Sequence, residues 1–533
     1  MSSVRRPLLR ITTVLALTAV GGAACGGGGG ADDGPDAAGG GDAAPCAAGG
    51  GPVAERVATT SGVVRGARAG ATWAFLGVPY AAPPVGERRL AAPAPAPCAA
   101  GELDATRLGP ACPQLDEAGT FVGDEDCLQL NIWAPAAPAG PRPVMVWLHG
   151  GGNAVGSAVY PIYDGRRLAE AGDVVVVTLN YRLGQLGFLA EAALAGPDGA
   201  IGNHGTLDQV AALRWVRDNI AAFGGDAGNV TVFGESAGGR NTCTLLAVPA
   251  AAGLFHRALV QSGACKFVDR VAEGQAVADD VAAALGCAGD RVACLRAATA
   301  EALVRANHHP VGALAASLYG PVIDGVVLAE QPEAAIAAGR HHAMPFAIGA
   351  NADETAREAP ASLSAAQYEA LVRAQYGAIA DAVLARYPAA AYPTPRAAYV
   401  RLTTDSRFVC PSREIAASAD QGQTEPVHRY FFAYRATALG APHGIDVPFV
   451  FGTFDAVLVA GQPYQPTAAD LALAAAIQGY WTRFARTGSP GGTPAWPTYD
   501  GSDPALVLDE PLTTATALRA AECDFWRPYY RAL

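Results

Sequence analysis

The sequence predicts an α/β fold: a large, mostly parallel central sheet covered by helices on both faces. Three observations carry this. Val144-Met-Val-Trp-Leu148 and Val174-Val-Val-Val177 are unbroken apolar runs, as expected of strands buried on both sides. Leu207, Val210, Leu213, Val216, Ile220 and Phe223 recur at helical spacing and give an amphipathic scaffold helix. The 533-residue chain is 51% hydrophobic and 16% charged, enough for one large core, although length alone would suggest more than one domain.

The next element is a strand, a turn and a helix around residue 236. Asn229-Val-Thr-Val-Phe233 reads as a short buried strand, and residues 237–246 are small and apolar enough to begin a helix. Between them lies Gly234-Glu235-Ser236-Ala237-Gly238. Gly-x-Ser-x-Gly at such a junction is a nucleophile elbow: the serine sits on a strained turn, and the flanking glycines let neighbouring chain pass without a Cβ clash. The pentapeptide alone is weak evidence; its flanks give it weight.

Upstream, His149-Gly150-Gly151-Gly152 directly follows the run ending at Leu148. Backbone N–H groups without an obstructing Cβ can stabilise the oxyanion of a tetrahedral intermediate. A flexible glycine turn is the bland alternative, and the glycine run at residues 26–30 reads as one. At a strand end before a nucleophile, however, this tetrad is the lipase and esterase arrangement.

In this fold the acid and then the histidine follow the serine. Of nine histidines, His428 and His443 lie far enough beyond Ser236 to leave room for an acid with its own strand. His428 falls within Pro426-Val-His-Arg-Tyr-Phe-Phe-Ala-Tyr434, a predicted strand, and reads as a packed strand residue. His443 lies in the loop Gly440-Ala-Pro-His-Gly444 and is preferred. For the acid, Met344-Pro-Phe-Ala-Ile-Gly349 reads as a strand leading to Ala350-Asn-Ala-Asp-Glu354. A carboxylate at a strand end can orient an imidazole, but spacing does not separate Asp353 from Glu354. Asp324 is a third candidate, more readily a turn residue. A neutral histidine base predicts an acid limb in kcat/KM near pH 6–7, roughly the ordinary histidine range.

The chain resembles the type-B carboxylesterases, the cholinesterase-like branch of the α/β-hydrolases, from about Val53 onward. Gly77-Val-Pro-Tyr-Ala-Ala-Pro-Pro-Val-Gly86, Glu125-Asp-Cys-Leu-Gln-Leu-Asn-Ile-Trp133, Asn180-Tyr-Arg-Leu-Gly184, Gly202-Asn-His-Gly-Thr-Leu-Asp-Gln209 and Phe223-Gly-Gly-Asp226 carry the resemblance together with the elbow. It implies an α/β-hydrolase fold and a catalytic triad of Ser236, Glu354 and His443. It also implies oxyanion donors on Gly151, Gly152 and Ala237. Glu354 is chosen because the family's Asn-x-Asp-Glu-Gly segment matches residues 351–355, with Thr355 standing where Gly is usual. Glu235 is read either as tuning the field beside the nucleophile or as a structural hydrogen-bonding residue.

The resemblance further implies disulfides Cys112–Cys127, Cys287–Cys294 and Cys410–Cys523. Eleven cysteines less Cys25 leave an even number, as an oxidising compartment favours. Cys46, Cys98, Cys243 and Cys265 are not assigned, with Cys243–Cys265 one option and free thiols another.

Residues 1–24 read as a secretory signal: Arg5, Arg6 and Arg10 precede an apolar stretch too short for a dedicated membrane span. Cys25 resembles a lipoprotein box, with Gly22 a poor match to its usual aliphatic residue. Lipidation there or ordinary signal cleavage are the two readings. Residues 25–52 form a Gly/Ala/Asp-rich tether, and 53–533 the catalytic domain. The expected product is thus an exported cell-envelope lipoprotein or secreted protein, reaching a membrane only through that lipid.

Net charge is −12 with Lys266 the single lysine, so nucleic acid is not an expected partner. No basic cluster, P-loop, dinucleotide fingerprint or metal-ligand spacing is evident; His308-His309 and His341-His342 read as loop residues. No cofactor or metal is implied. A non-catalytic, neuroligin-like binding member is disfavoured because the serine, acid, histidine and glycines are all present. The resemblance places a choline-binding tryptophan in the loop closed by the first disulfide; residues 113–126 hold none and form a short loop, which disfavours a cholinesterase and should leave the gorge mouth more open. The expected substrate is a small neutral, apolar carboxylic ester, with lipase, lactone or carbamate hydrolysis as alternatives.

Overall fold

The computed structural model describes Cys46 and residues 53–530, apart from 138–139, 267, 310, 315–318 and 460. The predicted signal segment, Cys25 and all of the tether except Cys46 lie outside the described residues.

Eleven strands build one sheet: β1 (Ala67–Ala69), β2 (Thr72–Pro79), β3 (Gln129–Pro135), β4 (Arg142–Leu148), β5 (Val175–Leu179), β6 (Gly225–Glu235), β7 (Arg257–Gln261), β8 (Phe346–Asn351), β9 (Val427–Phe432), β10 (Pro504–Leu508) and β11 (Thr513–Thr516). Their spatial order is β11-β10-β9-β8-β7-β6-β4-β5-β3-β2-β1. From β5 across to β10 every pairing is parallel; antiparallel pairing is confined to the two ends. The α/β-hydrolase architecture read from the sequence is present.

Both faces of the central strands are buried, which is why their sequences run apolar without alternation. Along β4, Val144, Val146 and Leu148 join one core with Val210, Leu213 and Val216 of the helix His204–Asn219. Met145 and Trp147 turn to the other face and join Ile477, Trp481 and Phe484 of the helix Ala468–Thr487. The scaffold helix expected over 207–223 spans His204–Asn219 and runs on as a 3-10 turn, Ile220–Phe223.

The resemblance motifs prove to be joints. Arg182 is buried and forks onto Asp208, with Nε–Oδ2 at 2.8 Å and Nη2–Oδ1 at 2.7 Å, tying the loop after β5 to the scaffold helix. Asn131 on β3 accepts the Gly77 N–H at 2.9 Å. Asn180 accepts from Ser157 Oγ and the Ala158 N–H.

Five disulfides form among the described residues. Cys112–Cys127, Cys287–Cys294 and Cys410–Cys523 pair as the resemblance implied. Cys243–Cys265 is the option left open above, and Cys46–Cys98 joins two unassigned cysteines.

Candidate active site

The site is assembled where the parallel strands end, the usual crevice of an open α/β sheet. Ser236 follows β6 directly and caps the helix Ala237–Leu245 at φ +58°, a left-handed conformation uncommon for a non-glycine residue. Its backbone N–H is held by the Gln261 carbonyl at 2.9 Å. A Cβ on Gly238 would fall onto the Leu148 carbonyl oxygen, so the elbow can pass the end of β4 only with glycine there.

The three glycines after His149 face the elbow. A Cβ on Gly150 would lie 3.1 Å from Ser236 Cβ, and Gly151 takes φ +109°. His149 anchors the loop: it stacks on Tyr181 with centroids 4.5 Å apart, its Nδ1 meets Gly150 O at 2.8 Å, and its own carbonyl accepts the Tyr181 hydroxyl. Burial pushes His149 down to about 4, so it stays neutral and Nδ1–H is the donor.

His443 Nδ1 lies 2.6 Å from Glu354 Oε2. Glu354 is fully buried, and its second oxygen accepts from Ser262 Oγ at 2.6 Å and the Asn351 N–H at 2.7 Å. Asp353 and Glu354 differ in what they touch. Asp353 exchanges bonds with the backbone of Ala441, its N–H donating to the carbonyl and its Oδ2 accepting the N–H, both at 3.1 Å. It thereby holds the loop that presents His443. Thr355, where the family usually has Gly, is buried with its hydroxyl 2.6 Å from Thr403 Oγ1, so its extra atoms fill a polar niche.

The other candidates sit elsewhere. His428 is buried on β9, its ring 2.9 Å from the Pro497 carbonyl. Asp324 accepts four backbone N–H groups, including those of Val327 and Leu328, as a turn residue would. His341 and His342 contact Gln423 and the Val248 carbonyl.

Around the histidine stand Glu235, which the sequence reading names, and Ser262 and Asp446, which it misses. Glu235 Oε1 lies 3.2 Å from His443 Nε2. Burial raises the Glu235 carboxyl well above the usual carboxylate range, against the pull of His443. For His443, burial works against the imidazolium, but Glu235 and Glu354 outweigh it and its pKa rises. Beneath them Asp446 accepts from Gln261 Nε2 at 2.7 Å and Asn351 Nδ2 at 3.1 Å. Ser262 occupies the end of β7 as Ser236 does that of β6, and this strand-end position is the signal that could have found it. Asp446, three residues past His443, had no comparable signal.

Ser236, Glu235 and His443 all line a cavity of about 680 Å³, with Gly151 and Gly152 on its wall. Among the described residues no group of His, Cys, Asp and Glu is arranged to hold a metal ion.

Comparison with known proteins adds lineage to this geometry. The model of the Carboxylesterase family matches residues 53–526. The chain belongs to the carboxylesterase family. It is 37% identical over 475 residues to the para-nitrobenzyl esterase of Bacillus subtilis, covering 86% of this chain and 95% of that protein. A fumonisin B1 esterase of Sphingopyxis macrogoltabida is 37% identical over 463 residues, covering 83% and 84%. A solved carboxylesterase of Geobacillus stearothermophilus superposes with a TM-score of 0.79 at 35% identity, covering 89% of this chain and all of that one. This carboxylesterase is thus a type-B family member with the α/β-hydrolase fold and an ester hydrolase by class.

Proposed function

We propose that this chain is an exported serine carboxylesterase acting through an acyl-enzyme on Ser236. One observation carries the reading: His443 is held by a buried carboxylate on one ring nitrogen and faces, with Ser236, into one cavity. Ser236 Oγ attacks the ester carbonyl carbon and its proton passes to His443 Nε2, while Glu354 orients the ring and stabilises the imidazolium. The N–H groups of Gly151, Gly152 and Ala237 receive the oxyanion. As the tetrahedral species collapses, the C–O bond to the alcohol breaks and His443 protonates the leaving oxygen. Water then loses a proton to His443 as it attacks the acyl-enzyme. Collapse releases the acid and returns the proton to Ser236, so one ester and one water give one acid and one alcohol.

Ser236→Ala should lower kcat on p-nitrophenyl esters by roughly 10⁴–10⁶-fold with the fold retained. Equal turnover by both proteins would overturn the assignment. Export rests on the basic-apolar leader and on five disulfides, which accord with an oxidising compartment. Cys25 is proposed as the lipidated N-terminus of the mature protein. Intact mass after bacterial expression should show a chain starting there with acyl groups attached; an unmodified start downstream of Cys25 would rule the anchor out.

A further inference from the structure

The chain carries a net charge of −12, yet the cavity wall around Ser236 is cationic. Four basic side chains line it, brought from segments far apart in sequence. Arg240 stands one helical turn past Ser236, its backbone N–H bonded to the Ser236 carbonyl at 3.0 Å. Arg357 ends the 3-10 turn Glu354–Arg357, three residues beyond the carboxylate that holds His443. Arg407 comes from the π-helical turn Asp405–Val409, and Lys266 from the segment after β7. The acids on the same wall are Glu235 and Asp269.

These cations differ in what they already hold. Lys266 is buried against Glu333 at 2.9 Å and over the Tyr530 ring at 4.3 Å. Arg407 donates to the Ala313 carbonyl at 3.0 Å. The guanidinium groups of Arg240 and Arg357 make no hydrogen bond or ion pair among the described residues. Asp269 and Glu235 act on them only at longer range. Arg240 is half-buried and Arg357 exposed at the cavity, and desolvation lowers the pKa of each. Among the described residues the scaffold engages neither guanidinium, which leaves both forks open to a group that enters the cavity. A planar guanidinium fork matches a carboxylate in two-point contact.

We propose that the ester cleaved here carries a free carboxylate of its own, held by Arg240 and Arg357 while the scissile carbonyl meets Ser236. This rests on the serine esterase reading. It replaces the neutral substrate expected from sequence, since a missing tryptophan argues against choline but says nothing about anions.

Two substrate pairs test it: 4-nitrophenyl hydrogen adipate against 4-nitrophenyl hexanoate, and 3-carboxyphenyl hexanoate against phenyl hexanoate. They place the carboxylate in the acyl and the alcohol arm respectively. In at least one pair kcat/KM should favour the anionic ester by about tenfold or more, a preference that added salt compresses. Arg240→Gln and Arg357→Gln should each cut that ratio about tenfold, mainly through KM, with partial rescue by Lys. Turnover of the neutral esters with no preference in either pair would overturn the proposal while leaving the esterase reading intact. Loss of turnover on every ester would instead strike the esterase reading. Calorimetry with 4-(4-nitrophenoxy)butanoate and the matching butanamide, neither of which is an ester, separates the two failures. Tighter binding of the carboxylate, weakened in Arg357→Gln, supports the anion site, and equal affinities overturn it.

Discussion

At the scale of single residues, the histidine is held between two carboxylates. Glu354 meets Nδ1 at 2.6 Å and Glu235 approaches Nε2 at 3.2 Å. Both negative charges favour the imidazolium, so the pKa of His443 rises above its ordinary value despite burial. The base works only when neutral, so the acid limb of kcat/KM belongs above about 6.5, higher than the unperturbed ring would give. Replacing Glu235 by Gln removes one of these charges, the imidazolium is less favoured, and the limb should move to lower pH. A pH profile of kcat/KM for the two proteins decides this, and an unmoved limb would mean that Glu235 does not act on His443. Because Glu235 itself titrates high, the profile reports the pair jointly. The sequence made some of these residues legible and not others. Ser236 and the glycines were readable because their requirement is local: a left-handed turn and a backbone approach that a Cβ would block. Ser262 and Asp446 were not, because their roles depend on pairing across the sheet and between loops.

Among elements, the parallel strands were legible as apolar runs because burial on both faces removes any alternation. The π-helical turn Asp405–Val409 was not, since it lies inside a helical stretch and no residue marks it. The cationic wall was also hidden. Arg240, Lys266, Arg357 and Arg407 form no run in the sequence, and the fold brings them together. The family motifs read as signatures, but their physical content is the joint between elements. Arg182 and Asp208 are about 3% and 0% exposed at the side chain, and Arg182 also donates to the Ala91 carbonyl at 2.7 Å. Truncating one partner of a buried ion pair leaves the other charge desolvated and alone, at a cost of about 3–5 kcal/mol. Arg182→Ala should therefore lose that much in chemical denaturation, although it lies away from the nucleophile. A loss under about 1 kcal/mol, the range of an exposed pair, would show that the joint is solvated.

The whole molecule is closed by a long-range covalent link. Cys410–Cys523 spans 113 residues and ties the helix Cys410–Gly422, packed near β8 and β9, to the terminal helix Ala520–Tyr530. That closure encloses the core around Tyr368, Tyr387 and Trp526, which lies behind the π-helical turn at the cavity wall. A link of this length restricts the unfolded chain most, in the chain-entropy account by about 4–5 kcal/mol, whereas Cys287–Cys294 closes only a short loop and restricts it less. The double variant Cys410→Ala/Cys523→Ala should accordingly unfold at lower denaturant concentration than the double variant Cys287→Ala/Cys294→Ala. The triad hangs on β6, β8 and the loop after β9, which this link does not cross, while the turn Asp405–Val409 just before Cys410 brings Arg407 to the cavity; the first variant should therefore keep its turnover of neutral esters below its transition. Equal losses in the two variants would mean that strain or residual structure, rather than loop length, sets the worth of these links.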